Sequence, residues 1–309
     1  MKQFFSSLFL LLIAIILLFF LHPQSTSPLH LSPTQRIQNH GSIAANTNPH
    51  MNFDHIVVIM MENKSYTGII GNPDAPYINS LLKKGSLLAQ YHAVTHPSLP
   101  NYLALIGGST FGITSDCTDC YIAAPNLVDQ LDAGHKSWKA YMESMPSPCF
   151  QGSEGEYAQK HDPFMYFNDI RNNTSRCSNI VPFDSLSVDL KNPQKTPNFI
   201  FISPNLCNDM HDCSIKQGDQ WLAGHVPSLL SSSAFTAQNS LLVLTWDEDD
   251  GSVNNHIATI VIGKNIKQGF VSDTSYTHYS LLHTIEAAWS MSPLTVNAEK
   301  AAMISDIVK

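Results

Sequence analysis

Apolar residues in this chain come in short unbroken runs rather than in strict alternation. His55-Ile-Val-Val-Ile-Met-Met61, Asn198-Phe-Ile-Phe-Ile-Ser203, Leu241-Leu-Val-Leu-Thr-Trp246 and Ile257-Ala-Thr-Ile-Val-Ile262 carry many β-branched or aromatic residues. Runs of this kind suit strands buried on both faces, as in a parallel sheet. Leu87 to His92 and Lys136 to Tyr141 read as two further strands. Between the runs, Asn79 to Lys84, Pro125 to Ala133, Gly218 to Ser231 and Tyr279 to Trp289 have helical spacing. Strands alternating with helices predict an α/β fold, a central, mostly parallel sheet with helices on both faces. Residues 143–197 show little periodicity, which predicts an irregular insertion over a site or a loop tied by a disulfide.

The first residues follow a different pattern. Lys2 precedes an apolar run from Leu8 to Leu21, 14 residues long, or 18 when counted from Phe4. The shorter count fits a signal peptide and the longer one an N-terminal membrane anchor, so residues 1–27 are expected to be one or the other. Ser25-Thr-Ser27 offers small residues for cleavage, although Pro28 would follow the cut. Residues 28–52, rich in Ser, Pro, Asn and His, read as a flexible linker, and 53–309 as the folded domain. The expected location is secreted or extracytoplasmic, with membrane attachment by the N-terminal segment as the variant of that reading. All six cysteines (117, 120, 149, 177, 207 and 213) lie beyond that segment. An even number outside the cytoplasm predicts disulfides, and neighbour pairing is one of the fifteen connectivities that six cysteines allow. Cys117-Thr-Asp-Cys120 lacks a second such pair at zinc-finger spacing, which favours a disulfide over a structural metal.

Composition narrows the function. The chain has 309 residues, 43% hydrophobic and 14% charged, with a formal charge of −8. That is enough for one large domain or two small ones with an ample core, and too apolar for a disordered chain. Net acidity without a basic cluster argues against nucleic-acid binding. An anionic small molecule remains compatible if a metal ion reverses the local field. The sequence carries no signal of oligomeric state.

In parallel sheets ligands bind at the carboxyl ends of strands. The strand ending at Met61 runs into Glu62-Asn63, the one ending at Ser203 into Asn205 and Asp209-Met-His211-Asp212, and the one ending at Trp246 into Asp247-Glu248. Parallel strands would bring these three polar clusters to one edge, where unpaired carboxylates call for a divalent cation. The stretch Thr95-His-Pro-Ser-Leu-Pro-Asn101 then stands out. Its serine lies between two prolines and just before the apolar run Tyr102 to Ile106. A serine at a helix start can simply cap it, but it can also meet a phosphate at the helix's positive end. Oxygen ligands beside a serine on a rigid turn suit metal-assisted phosphoryl transfer with Ser98 as nucleophile. Asn101 or Asn63 could donate to a phosphate oxygen, and His96, His161 and His211 are candidates to protonate the leaving oxygen or bind phosphate. Asp209 belongs to the same candidate substrate side. Each piece also has a plainer reading. Glu62-Asn63 alone could be a surface turn, His161 a solvated loop residue, and Asp209 to Asp212 a loop closed by Cys207–Cys213. His256 and His278 read as supporting or core residues rather than ligands. Asp247 to Gly251 is no EF-hand, since Ser252 and Ala258 stand where Gly and Glu are needed. No serine lies in Gly-x-Ser-x-Gly, which removes an α/β-hydrolase esterase.

Glu62-Asn63, Thr95 to Asn101, Ser203-Pro-Asn-Leu-Cys-Asn-Asp-Met-His-Asp-Cys213 and Thr245-Trp-Asp-Glu248 together resemble the motifs of the bacterial phosphoesterase family. That family holds acid phosphatases and phospholipases C and belongs to the alkaline phosphatase superfamily. The likeness spans roughly 53–290 with the motifs in family order. It implies a sandwich around a central sheet, a serine nucleophile, and metal ligands at Glu62, Asn63, Ser98, Asp247 and Glu248. Ser98-Leu-Pro-Asn101 is also similar to the nucleophile turn of nucleotide pyrophosphatases, where threonine replaces serine. Those enzymes bind two zinc ions through several histidines, and the clusters here are poorer in His, so one divalent ion is expected rather than two. Oxygen-rich ligands favour Ca, Mg or Mn and the superfamily likeness favours Zn. The expected activity is hydrolysis of phosphate monoesters through a phosphoserine intermediate. A phospholipase C acting on lipid phosphodiesters is the alternative within the class, provided 143–197 forms an apolar rim. From another class, the alternative is a non-catalytic exported binding protein with a structural metal.

Overall fold

The apolar runs account for seven strands of the central sheet, and two more lie elsewhere, one of three residues within 143–197 and one in polar sequence. In the computed structural model, which describes residues 51–252 and 254–309, the strands are β1 His55–Met61, β2 Ser86–His92, β3 Trp138–Met142, β4 Ile180–Pro182, β5 Phe199–Ser203, β6 Ser240–Trp246, β7 His256–Ile257, β8 Thr259–Gly263 and β9 Phe270–Thr277. They form one sheet in the order β4-β3-β5-β1-β6-β8-β2-β7, with β9 paired to β2. The pairings β4–β3, β3–β5, β5–β1, β1–β6 and β2–β9 are parallel. Those of β6–β8, β8–β2 and β2–β7 are antiparallel. The sheet is therefore mostly parallel, as the pattern predicts. Every residue of β1, β5 and β6 is buried, which is why those strands read as continuous apolar runs.

The neighbours β5, β1 and β6 share a direction, so their carboxyl ends meet at one edge. Two successive antiparallel steps, β6 to β8 and β8 to β2, turn β2 back to that same direction. The stretch after β2 thus arrives at the same edge as Glu62, Asp209 and Asp247.

Local differences from the expected elements have identifiable causes. The helix expected over 79–84 lies at Pro76–Leu81, with Pro76 at its first position, where the missing amide costs nothing. The helix expected from Gly218 starts at Ile215, because Ser214 caps it by accepting from the Gln217 amide. Gly218 has another role: a Cβ there would meet the Asn208 carbonyl at 2.9 Å and Met210 closer still, so only glycine lets this helix approach the Asp209 loop. The run 257–262 is broken at Ala258, the first part pairing with β2 and the second with β6 and β2. The stretch 143–197 contains β4 and several short helical turns. The polar sequence of β9 hid it, since only Ser272 and Tyr276 are buried there. Met51, placed by the sequence in the linker, is buried, and the Asn52 carbonyl accepts from Asn239, so the folded part begins at least two residues earlier than Phe53. The targeting segment expected over 1–27 and the rest of the linker lie outside the described residues. No helix among the described residues is long and apolar enough to cross a membrane. The three disulfides join Cys117 to Cys120, Cys149 to Cys177 and Cys207 to Cys213, the neighbour pairing, and fit an oxidising compartment.

Candidate active site

Ser98 opens the helix Ser98–Gly107, whose ten residues are all buried. The residue before it, Pro97, is the cap position, and no side chain caps the helix there. The serine is therefore the first helical residue and not a cap, contrary to the plainer reading of the sequence. Pro100 is tolerated because the first turn has no partner for its amide anyway. Nor are the amides at this end all unpaired: Leu99 N donates to Asp116 Oδ1 at 3.0 Å. The Ser98 hydroxyl lies 3.1 Å from Glu62 Oε2 and 3.4 Å from Glu248 Oε1.

The approach to this serine is fixed by Asn101. Its Oδ1 accepts from the amides of Val94 and Thr95, and its Nδ2 donates to the carbonyls of Thr95 and Pro97. Asn255 Nδ2 donates to the Thr95 carbonyl as well. Asn101 is wholly buried and its polar atoms are committed to the backbone, so it shapes the turn and is not turned outward to a phosphate.

The strand ends supply the carboxylates. Asp247 N donates to the Met61 carbonyl, Asn63 N to Asp247 Oδ1 at 3.1 Å, and Glu62 N to the Asp209 carbonyl at 2.9 Å. The three loops are thus stitched together by two backbone bonds and one to the Asp247 side chain. Asn63 sits at φ 51, the left-handed conformation that asparagine tolerates. Glu62, Asp209, Asp247 and Glu248 are all buried. Burial raises the pKa of each. The charge of Asp247 and then of Asp209 pushes Glu62 further, and Glu248 does the same to Asp247. Asp209 reaches about 7 and Glu248, with Asp116 adding to burial, about 8.

The histidines divide into two groups. His161 is 3% exposed, against the reading that made it a solvated loop residue. Its Nε2 stands 3.2 Å from Glu62 Oε1 and its Nδ1 3.1 Å from Asp209 Oδ2. Burial and the nearby Lys160 hold its pKa well below the usual range, so it is neutral. His211 Nδ1 donates to Asp212 Oδ1 at 2.6 Å, and its Nε2 accepts from Lys160 Nζ at 3.0 Å. Asp209 does serve its own loop, through Oδ1 and the His211 amide, but its Oδ2 points to His161. His96 lies on the open side, its Nδ1 2.6 Å from Glu248 Oε2. His278 lies under the cluster, Nε2 at 2.7 Å from the Asp247 carbonyl, with a pKa lowered to about 4 by burial. It supports the Asp247 backbone, as the sequence reading had it.

Three buried atoms of this cluster make no aligned hydrogen bond: Asp247 Oδ2, and Asp209 Oδ2 and His161 Nε2 despite their approaches of 3.1 and 3.2 Å to His161 Nδ1 and Glu62 Oε1. Orphaned acceptors among mutually repelling carboxylates are what a bound cation would satisfy. Glu62, His161 and His211 also offer donor atoms within 4.8 Å of one another. That set shares Glu62 with the one expected from the sequence. It adds His161 and His211 and does not include Asp247 or Glu248.

Sequence reasoning missed Tyr102, Lys160 and Asp116. Tyr102 donates to Glu62 Oε1 at 2.5 Å and stacks on His161. It lies four residues after Ser98 on one helix, which puts both on one face, and that spacing was the available signal. Lys160 and Asp116 lie in irregular sequence and carried none.

Residues 72–292 match the Phosphoesterase family. A Mycobacterium tuberculosis protein named phosphatidylinositol-3-phosphatase is 42% identical over 260 residues, 82% of this chain and 83% of that one. The chain belongs to the Phosphoesterase family. An acid phosphatase of Aspergillus fumigatus is 34% identical over 255 residues, 78% of this chain and 56% of that one, so the chain spans a little over half of that relative. The family's members place it among hydrolases of phosphoric esters. A solved Vibrio parahaemolyticus protein of the alkaline phosphatase superfamily superposes with a TM-score of 0.55 at 14% identity, covering 81% of this chain and 70% of that one, and shares the fold.

Proposed function

We propose that the protein is an exported, metal-dependent phosphomonoesterase that works through a phosphoserine. The observation that carries this reading is the Ser98 hydroxyl, 3.1 Å from Glu62 and 3.4 Å from Glu248 within a buried carboxylate cluster at a helix start. Glu62, Asn63, Ser98, Asp247 and Glu248 would hold one divalent ion, which supplies a Lewis acid that lowers the serine pKa and neutralises phosphoryl charge. The chain's own residues do the rest. Ser98 Oγ forms a bond to phosphorus as the bond to the leaving oxygen breaks, and its proton passes to Glu62 or Glu248. His211, a quarter exposed, takes up a proton at Nε2 in place of its Lys160 contact and passes it to the leaving oxygen. Water then attacks the phosphoserine, releasing phosphate and restoring the hydroxyl. Asn101 keeps Ser98 in place, and His161 and Asp209 buttress Glu62.

The name of the mycobacterial relative speaks for monoesters carried on a lipid as substrates alongside soluble ones. A phospholipase C is disfavoured by 143–197, where Phe164 to Phe167 are buried and the large exposed apolar side chain is Val188. Hydrolysis of a chromogenic phosphate monoester tests the reading. Ser98→Ala is expected to lower kcat by about a thousandfold or more, and chelation to abolish turnover until a divalent ion is restored. Full activity of Ser98→Ala would sink the mechanism, and a protein inactive on every ester would point to the binding-protein alternative.

A further inference from the structure

We propose that Lys160 is the cation that grips the phosphoryl oxygens on the side facing away from the carboxylates, and that Asp116 holds it there. The proposal rests on the phosphoesterase reading of the site. Lys160 lies in the single turn Gln159–His161, next to the histidine that touches Glu62. Its Nζ is 3.0 Å from Asp116 Oδ2 and 3.0 Å from His211 Nε2. An ammonium has three protons to donate, and these contacts use two. The other oxygen of Asp116 accepts from Leu99 N, directly after Ser98. One carboxylate therefore ties the lysine to the first turn of the serine helix. Gln159 Nε2 donates to the Thr118 carbonyl, which clips the same turn to the Cys117–Cys120 loop.

This placement is more than an ion pair needs. Side chains 21% and 27% exposed gain little stability from pairing, yet both are fixed by second contacts, Lys160 to His211 and Asp116 to the Leu99 amide. Burial works against the ammonium, but the hydrogen bond and charge of Asp116, with Glu62 and Asp247 beyond, keep its pKa above the ordinary value. It is therefore charged throughout the working range. A phosphate dianion entering beside four carboxylates needs positive charge on its far side. Lys64, the other ammonium close by, is bound to the carbonyls of Asn63 and Met210 instead.

Inorganic phosphate is the probe, read as inhibition of ester hydrolysis by the full chain and as calorimetric titration of Ser98→Ala protein, which binds without turnover. Lys160→Met is expected to weaken phosphate about ten- to a hundredfold in both assays, with bound metal per chain unchanged, and Lys160→Arg to restore most of it. Asp116→Asn is expected to weaken it severalfold by releasing the lysine. Unchanged phosphate affinity in Lys160→Met overturns the proposal, and so does loss of metal in step with loss of phosphate. Lys160→Gln provides a second variant should the methionine lower the unfolding midpoint. The titration separates the two readings: weaker phosphate with Lys160→Met but full hydrolysis by Ser98→Ala would sink only the nucleophile, and the reverse result only the lysine.

Discussion

Glu62 and Tyr102 show how a buried carboxylate is made bearable. The phenol donates to one oxygen of Glu62 at 2.5 Å while the Ser98 hydroxyl faces the other at 3.1 Å. Burial and the charge of Glu62 hold the Tyr102 pKa well above its usual value, so the phenol keeps its proton and remains a donor. Removing it leaves Glu62 with less support in its charged form, which is the form that binds a cation. Tyr102→Phe is accordingly expected to weaken metal binding by about ten- to a hundredfold, measured by titrating chelated protein with the divalent ion. An unchanged metal affinity would mean that the phenol only fills space. At this scale the sequence was legible wherever a polar residue ended an apolar run, as at Glu62 and Asp247. It was silent on Lys160 and Asp116, whose meeting depends on two loops that no period describes.

Among the elements, the turn before the serine helix depends on one side chain. Asn101 makes four hydrogen bonds to the backbone of residues 94–97. Asn101→Ala should leave several of those groups unpaired in a dry setting, costing about 2–4 kcal/mol in urea unfolding. Loss of activity should exceed the loss of folded protein, because Ser98 would no longer be fixed. The disulfide Cys149–Cys177 has a different task. It spans 28 residues beside β4, three strands from β1. Replacing both cysteines by serine is expected to cost about 3 kcal/mol, read as a lower midpoint in denaturant, with KM unchanged at temperatures where the variant is folded. The neighbour pairing was one of the fifteen connectivities open to the sequence, and only two of its pairs, three and six residues apart, lie close in the chain. The short β4 strand that the Cys149–Cys177 bridge pins was not readable, since three residues inside an irregular stretch give no pattern.

Across the whole molecule, the charge balance of the site should be visible in stability. In metal-free protein Asp209 and Glu248 have pKa values raised to about 7 and 8, above those of the unfolded chain. Folded protein then holds protons that the unfolded chain gives up. This contribution is fully present below the unfolded values and is lost as pH rises through 7 and 8. A cation bound at Glu248 would take the place of its proton and, by its charge, lower the proton affinity of nearby Asp209. The melting temperature of the metal-loaded protein should therefore exceed that of chelated protein by little at pH 5 and by about 5 °C or more at pH 8. A gap independent of pH would show that Glu248 does not ligate the cation. The fold itself was legible at this scale because buried parallel strands are continuous apolar runs. The antiparallel return through β8 and the polar β9 depended on pairings between distant segments.

Those distant pairings also govern when the site comes into being. Asn63 and Asp247 are 184 residues apart in the chain, Ser98 and Glu248 150, and β1 sits between β5 and β6, both of which come much later. Ordering such long loops is slow, since their closure entropy must be met before the contacts form. The strand that carries Glu62 therefore emerges early and waits for nearly two hundred residues of chain before it is flanked on both sides. Ribosome-bound fragments that end before Trp246 should hold the serine turn but no complete carboxylate cluster, and so no hydrolase.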